Sequence, residues 1–290
     1  MIKRTFEDFA IESVLYLILI LVGVAMIIPF VYVVGNSLIT VQEYIKPGLK
    51  LIPLDGITFS AYNSLFKNPA IYTSYWNTLQ LAVGGTAISL FFTTITGYVL
   101  SRRQLKGRSV ITFIFILTML VNGGIVPHYL VVKSLGLINR LWALILPVTI
   151  NTYFMIILKS FFANLPDSLE ESAYMDGANE VYILFKIFIP LSLPAMVTIG
   201  LFYGVNYWNS FFLGVLYLTD RDKWPLQLLL RDILIQADMS EMGDVGSYAD
   251  SMAHNIKMAT IVVAIVPIIS VYPFLQKHFT KGILIGAVKG

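Results

Sequence analysis

The run Val14-Leu-Tyr-Leu-Ile-Leu-Ile-Leu-Val-Gly-Val-Ala-Met-Ile-Ile-Pro-Phe-Val-Tyr-Val-Val34 decides the fold class. It holds 21 residues without a charge, and a helix crossing about 30 Å of hydrocarbon needs about 20 mostly apolar residues. Such a helix can cross because it pairs its own backbone N–H and C=O groups. Lys3 and Arg4 precede the run as they would in a secretory signal. Glu7, Asp8 and Glu12 follow them, however, and no small-residue cleavage site closes the run, so it reads as a retained first helix. Working outward, six stretches have the length and composition of spans: residues 14–38, 76–100, 110–132, 141–158, 191–218 and 258–274. The fifth exceeds what one span requires and is either tilted or continued by an interfacial helix. The expected architecture is an all-α integral membrane bundle.

Composition agrees. Across 290 residues, 57% are hydrophobic and 13% charged, with a mean hydropathy of +0.76, outside the range of soluble domains. A net charge of +3, scattered along the chain, gives no footprint for nucleic acid; the expected surroundings are lipid. Cysteine is absent, which excludes disulfides, thiolate metal sites and a cysteine nucleophile. His128, His254 and His278 are far apart and fit no metal-binding spacing. None of the six stretches contains Asp, Glu, Lys or Arg, and His128 is the only ionisable group of the imidazole type within them. Ion-coupled carriers and voltage-gated channels usually place charges at membrane depth, so the energy source is expected outside this chain. There is no G-x-x-x-x-G-K-[ST] loop to cradle a nucleotide phosphate. No catalytic residue, cofactor site or metal site is therefore expected. A membrane-embedded enzyme would need a nucleophile with a base, or a metal cluster, at membrane depth, and no such set is present. A channel is a further alternative.

Six spans put both termini on one side. Residues 1–13, 101–109, 159–190 and 275–290 would lie there and carry 11 of the 20 basic residues, with Arg102, Arg103, Lys106 and Arg108 in one short loop. The positive-inside bias places this side in the cytoplasm. The outer connections are then residues 39–75, 133–140 and 219–257. Organisation follows: residues 1–75 form an N-terminal segment, first span and outer loop, and residues 76–290 a transmembrane core containing a cytoplasmic loop at 164–190.

That loop reads Asn164-Leu-Pro-Asp-Ser-Leu-Glu-Glu-Ser-Ala-Tyr-Met-Asp-Gly-Ala-Asn179. Pro166 and Asp167 suit a helix start, Ser168 and Glu171 have capping-box spacing, and Gly177 suits the left-handed position that ends a helix. Asn179 can cap a second helix carrying Val181, Leu184, Phe185 and Phe188 toward Pro190. Ser172, Ala173 and Ala178 are small enough for a partner surface to approach closely. Read blandly, this is an amphipathic surface helix with a glycine stop.

The same segment resembles the EAA loop of permease subunits of binding-protein-dependent ATP-binding-cassette (ABC) importers. Glu171, Ala173, Gly177, Ile187, Ile189 and Pro190 match that pattern in register, Asp176 is typical of it, and Ser172 stands where alanine is usual. Further segments resemble the carbohydrate-uptake branch: Gly123-Gly-Ile-Val-Pro-His-Tyr-Leu130, Leu135-Gly-Leu-Ile-Asn139, Leu144-Ile-Leu-Pro147, Trp208-Asn209 and Pro225-Leu226. The resemblance implies a six-helix, MetI-like type I importer bundle in the bacterial plasma membrane. It implies as partners a second, homologous permease, two ATPase subunits that bind ATP and Mg, and an extracellular solute-binding protein. The implied cargo is an oligosaccharide, with large or acidic, pectin- or alginate-derived fragments as the nearest likeness. Glu170, Glu171, Ala173, Asp176, Gly177 and Ala178 would dock the ATPase, and Gly286-Ala-Val-Lys-Gly290 resembles tails that in some relatives reach the ATPase dimer. An importer of amino acids, peptides or ions is the rival, because the docking loop is shared across these substrates.

For the substrate pathway, Tyr203, Asn206, Tyr207 and Ser210 recur at helical spacing on the fifth stretch, with Trp208 and Asn209 alongside; Asn122, Asn151 and Tyr153 are similar candidates. Aromatic faces and amides suit sugar rings. The same residue types also form interfacial belts and interhelical hydrogen bonds. An interfacial position accounts for His128, and Pro29, Pro147 and Pro267 read as kinks. Residues 219–257 form either a solvated loop or, by the resemblance, a contact with the binding protein.

Overall fold

A computed structural model describes residues 6–46, 48, 50–121, 123–241 and 248–287. The described residues are helical, with no strands. Among the described residues, three helices are individually long and apolar enough to span: Ile11–Asn36, Pro69–Ser101 and Ser251–Val271. Three bent pairs pass the same test together: Arg108–Leu120 with Ile125–Ser134 (118°), Trp142–Val148 with Thr152–Ala163 (51°), and Glu180–Leu191 with Leu193–Trp208 (83°). Six spans result if each bent pair is one.

Of the expected kinks, the one at Pro147 is present, the bend in residues 110–132 is additional, and each bend has a local cause. Residues 110–132 are not one helix. Val121 turns extended, and Gly124 at φ 82°, ψ 174° adopts a conformation essentially reserved for glycine before the chain re-enters a helix. In the fourth span, Pro147 tightens the chain into a 3₁₀ turn and Asn151 caps a new helix, its Oδ1 accepting from Phe154 N at 3.2 Å. Residues 191–218 divide at Asn209 and Ser210 into Leu193–Trp208 and Phe211–Tyr217, so the excess length is a second short helix. Pro29 and Pro267 lie inside continuous helices.

The connections at residues 39–75 and 219–257 are also more ordered than open loops. The second span begins at Pro69, before the expected residue 76, and residues 39–75 contain the short helices Val41–Ile45 and Ser60–Phe66. Residues 219–257 contain the helix Leu226–Glu241 and the first turns of the helix Tyr248–Ala287.

The chain divides into two compact units, Met1–Pro69 with Leu230–Val266, and Ala70–Leu229 with Pro267–Gly290. In the first unit, the apolar helix ending at Asn36 exposes large side chains all round, from Leu15 to Phe30, as a lipid-facing helix does. Its end is fixed by Asn36 Nδ2, which donates to Lys50 O at 2.6 Å, and by Asn255 Nδ2, which donates to Ile39 O at 2.9 Å. Buried Glu43 accepts from the Leu54 and Asp55 amides, so its charge is spent on backbone N–H groups.

The second unit packs the second span against Thr152–Ala163 and Leu193–Trp208. Gly97 permits the first contact: a Cβ there would lie 3.3 Å from Lys159 N. Small residues at helix interfaces let backbones approach in this way within membranes.

Candidate functional site

Two places in the second unit gather the residues singled out in the sequence. The first is the loop at residues 164–190. Its helix runs Asp167–Met175 and ends as expected: Gly177 at φ 79° lets its N–H reach Tyr174 O at 2.9 Å while Ala178 N–H reaches Ala173 O at 2.9 Å. These two bonds are the Schellman pair, and they satisfy carbonyls left open at the helix end. Asn179 Oδ1 then accepts from Tyr182 N at 2.8 Å and caps the next helix. The expected capping box is not formed. Pro166 sets the start, no side chain caps it, and Ser168 already lies inside the helix.

This helix has two faces. Glu170 and Ala173 are buried at 7% exposure, whereas Glu171, Ser172, Asp176 and Gly177 are exposed, Met175 is 88% exposed, and Ala178 is half-buried. Glu170 therefore faces its own chain, with Oε1 2.6 Å from Arg102 Nη2. Removing one partner of a buried pair like this typically costs about 3–5 kcal/mol, because the other charge is left uncompensated. Tyr98 Oη donates to Glu180 Oε2 at 2.5 Å, and Tyr174 donates to the other oxygen of the same carboxylate. The bond to Glu180, followed by burial, pushes the Tyr174 hydroxyl up to about 12, so it remains a donor throughout the physiological range. In the next helix Ile183, Leu184 and Phe188 are buried while Val181 and Phe185 are exposed.

The second place is a cavity of about 290 Å³ lined by Leu144, Val148, Asn151, Tyr203, Asn206, Tyr207, Asn209, Ser210, Phe212 and Leu213. Its two tyrosines are held from behind. Tyr203 Oη accepts from Asn151 N at 2.8 Å and is 2.7 Å from Thr93 Oγ1; Tyr207 Oη is 2.7 Å from Ser89 Oγ. Both hydroxyls are thus tied to neighbouring helices, and both residues are 3% exposed. Asn206 and Asn209 are exposed and carry the free amides of the wall. The lining holds no charged side chain. Trp208 and Tyr153 do not line this cavity: Trp208 packs edge-on near Tyr75 at 6.3 Å, and Tyr153 is 57% exposed beside Phe154. Asn122 lies outside the described residues, as do residues 288–290 of the tail. Leu144, Val148, Phe212 and Leu213 were not anticipated, since the bends at Pro147 and Ser210 bring them in.

The turn after the fifth span is built rather than loose. Asn77 Nδ2 donates to Asp222 O at 2.8 Å, Leu226 N donates to Thr78 Oγ1 at 2.7 Å, and Asn139 Oδ1 accepts from Asp220 N at 3.1 Å.

A helical membrane chain with a capped, partly exposed helix between two spans and a neutral polar cavity belongs to the transporter class. More particularly, residues 90–285 match the family described as binding-protein-dependent transport system inner membrane component, and the chain belongs to that family. It is 49% identical, over 96% of its length and 98% of the relative's, to the polygalacturonan/rhamnogalacturonan transport system permease protein YtcP of Bacillus subtilis. It is 28% identical, over 95% of each chain, to the arabinooligosaccharides transport system permease protein AraQ of the same organism. Among solved structures it resembles a chain of a bacterial ABC transporter involved in the import of the acidic polysaccharide alginate, with a TM-score of 0.86 and 30% identity, covering 96% of this chain and all of that one. The expectation of an all-α ABC permease of the carbohydrate-uptake branch is borne out.

Proposed function

We propose that this chain is one of two paired permease subunits of an ATP-driven importer of oligosaccharides, with acidic fragments of pectin or alginate type as preferred cargo. The helix Asp167–Met175 docks an ATPase through its exposed face, with Glu171, Met175 and Asp176 toward the partner. The ATPases bind and hydrolyse ATP, and an extracellular binding protein delivers the sugar to the outer turns. Both termini then lie in the cytoplasm and the spans cross the bacterial plasma membrane.

The observation that carries this reading is the docking helix, fixed at both ends by Pro166 and the Gly177 motif and displaying a face that its own chain leaves uncovered. Names of relatives that transport polygalacturonan and arabinooligosaccharides support a sugar over amino acids, peptides or ions. The cavity agrees, since tyrosine rings and asparagine amides suit hydroxyl-rich rings better than they suit a bare ion.

The chain contains no cysteine, so Met175→Cys gives a unique handle. In the assembled complex a short thiol-reactive cross-linker should join it to an ATPase subunit, and a hydrolysis-dead ATPase should abolish uptake. Uptake that persists with the dead ATPase would overturn the assignment.

A further inference from the structure

The docking helix is fastened to the transmembrane core by a side chain outside the docking motif. Arg102 follows the last residue of the second span, Ser101. Its guanidinium carbon lies 4.5 Å from the Tyr98 ring centroid and 4.7 Å from that of Phe188. Nη2 lies 2.6 Å from Glu170 Oε1, 3.1 Å from Tyr98 Oη and 3.9 Å from Glu180 Oε2. One cation thus joins the second span, the docking helix, the start of the following helix, and Phe188 in the last turns of that helix before the bend into the fifth span. The Arg102 and Glu170 side chains are only 12% and 10% exposed, so water and salt screen the contact far less than they screen a surface pair. The neighbouring Arg103 and Asp167 show the contrast: they lie 3.4 Å apart but are 77% and 62% exposed. Arginine suits the position because its weakly hydrated, permanently charged head lies against the Tyr98–Phe188 ring pair while its charge sits beside the Glu170 carboxylate.

The second span is also the helix that holds the cavity. Thr93 and Ser89 on it fix the hydroxyls of Tyr203 and Tyr207. Ser89 is 13 residues before Arg102, about 20 Å along a helix at 1.5 Å per residue. A packed helix with fixed contacts at both ends is the kind of element through which coupling passes.

We infer that Arg102 is a positioning residue that locks the docking helix to the second span, so that a displacement of the docking helix is delivered to Ser89, Thr93 and the tyrosines of the cavity. This rests on the docking reading above. The docking helix and the end of the second span move together, with no hinge between them.

The cysteine-free chain permits a direct test in the full complex with its partner permease, ATPases and binding protein, using trigalacturonate as the probe. In Arg102→Cys/Glu170→Cys the ATPase stays bound and hydrolyses ATP, while uptake per ATP falls roughly tenfold, within the usual range of site-to-site coupling. Bridging the two thiols with a short bis-thiosulfonate restores most of the uptake. Arg103→Gln leaves uptake per ATP unchanged, and Glu170→Gln, which keeps the side-chain shape, lowers it in the same sense as the cysteine pair. The inference is overturned if the unbridged pair transports normally, if bridging abolishes uptake instead of restoring it, or if Arg103→Gln is as damaging as Glu170→Gln. An ATPase that fails to copurify with the unaltered permease would instead overturn the docking reading itself.

Discussion

Gly84 and Gly85 are adjacent in one wide π turn, residues 80–85 of the second span, yet the structure assigns their alanine substitutions opposite signs. A Cβ on Gly85 would lie 2.9 Å from Cε2 and Cζ of Tyr207 and 3.0 Å from Cε1, distances that carbon atoms do not keep. The ring cannot simply slide away, because its hydroxyl is held 2.7 Å from Ser89 Oγ. At Gly84 a Cβ would meet nothing within 4 Å. Alanine in a helix interior is favoured over glycine by roughly 0.5–1 kcal/mol, so Gly84→Ala should stabilise by that amount. Gly85→Ala should cost about 1–3 kcal/mol from overpacking. In a Tyr207→Leu background the Gly85→Ala penalty should shrink, the non-additivity expected of touching residues. Thermal unfolding of the purified complex measures the signs, and oligosaccharide uptake reads the displaced tyrosine. Equal melting temperatures for the two alanine variants, or a Gly85→Ala effect indifferent to residue 207, would refute the reasoning.

Gly177 has open space for a side chain but sits at φ 79°, so the cost of Gly177→Ala is backbone strain of about 1–2 kcal/mol. Gly177→Asn should cost less, and uptake per ATP should follow the same order. Tyr203→Phe leaves the Asn151 amide and the Thr93 hydroxyl without their partner, and should destabilise by about 1–3 kcal/mol in thermal unfolding. Asn139 occupies a left-handed position at φ 62° and ties down the 219–220 amides; Asn139→Gly keeps the backbone but loses the ties, so amide exchange at Thr219 and Asp220 should accelerate. Hydrogen bonds from Lys223 and then Asn139 hold the Asp220 carboxyl below the usual carboxylate value. A depressed carboxylate contributes stability above its unfolded value and loses it as pH falls through the lowered folded one. Protection of this turn should therefore persist at neutral pH and fade on acidification, with exchange measured across that window as the check.

Apolar runs make the spans legible, because a lipid solvent demands length and composition before anything else. Direction is not legible in the same way. Residues 110–132 are long and charge-free enough to read as one span, and only the Asn122-Gly-Gly124 break hints at the turn that Gly124 makes. The helix Asp167–Met175 is legible at its end, where Gly177 and Asn179 each have one conformational job, and less so at its start, where Pro166 preempts the Ser168 box. A signal for its inward face was present: Glu170 and Ala173 are three apart and share one side, which points Glu170 at the core. Arg102 read only as a topology charge, since its partner Glu170 lies far along the chain and a buried pairing over that separation leaves no local pattern. The helical spacing of Tyr203 and Tyr207 was visible, but their anchors on another span were not.

The most direct measurement is uptake by the reconstituted complex with its binding protein, comparing oligogalacturonates, alginate oligomers and neutral oligosaccharides of equal length. The account predicts ATP-dependent accumulation of the acidic oligomers, and stimulation of ATP hydrolysis by the same sugars when loaded on the binding protein. Accumulation without ATP, or hydrolysis stimulated by amino acids, peptides or ions and by no oligosaccharide, would contradict it.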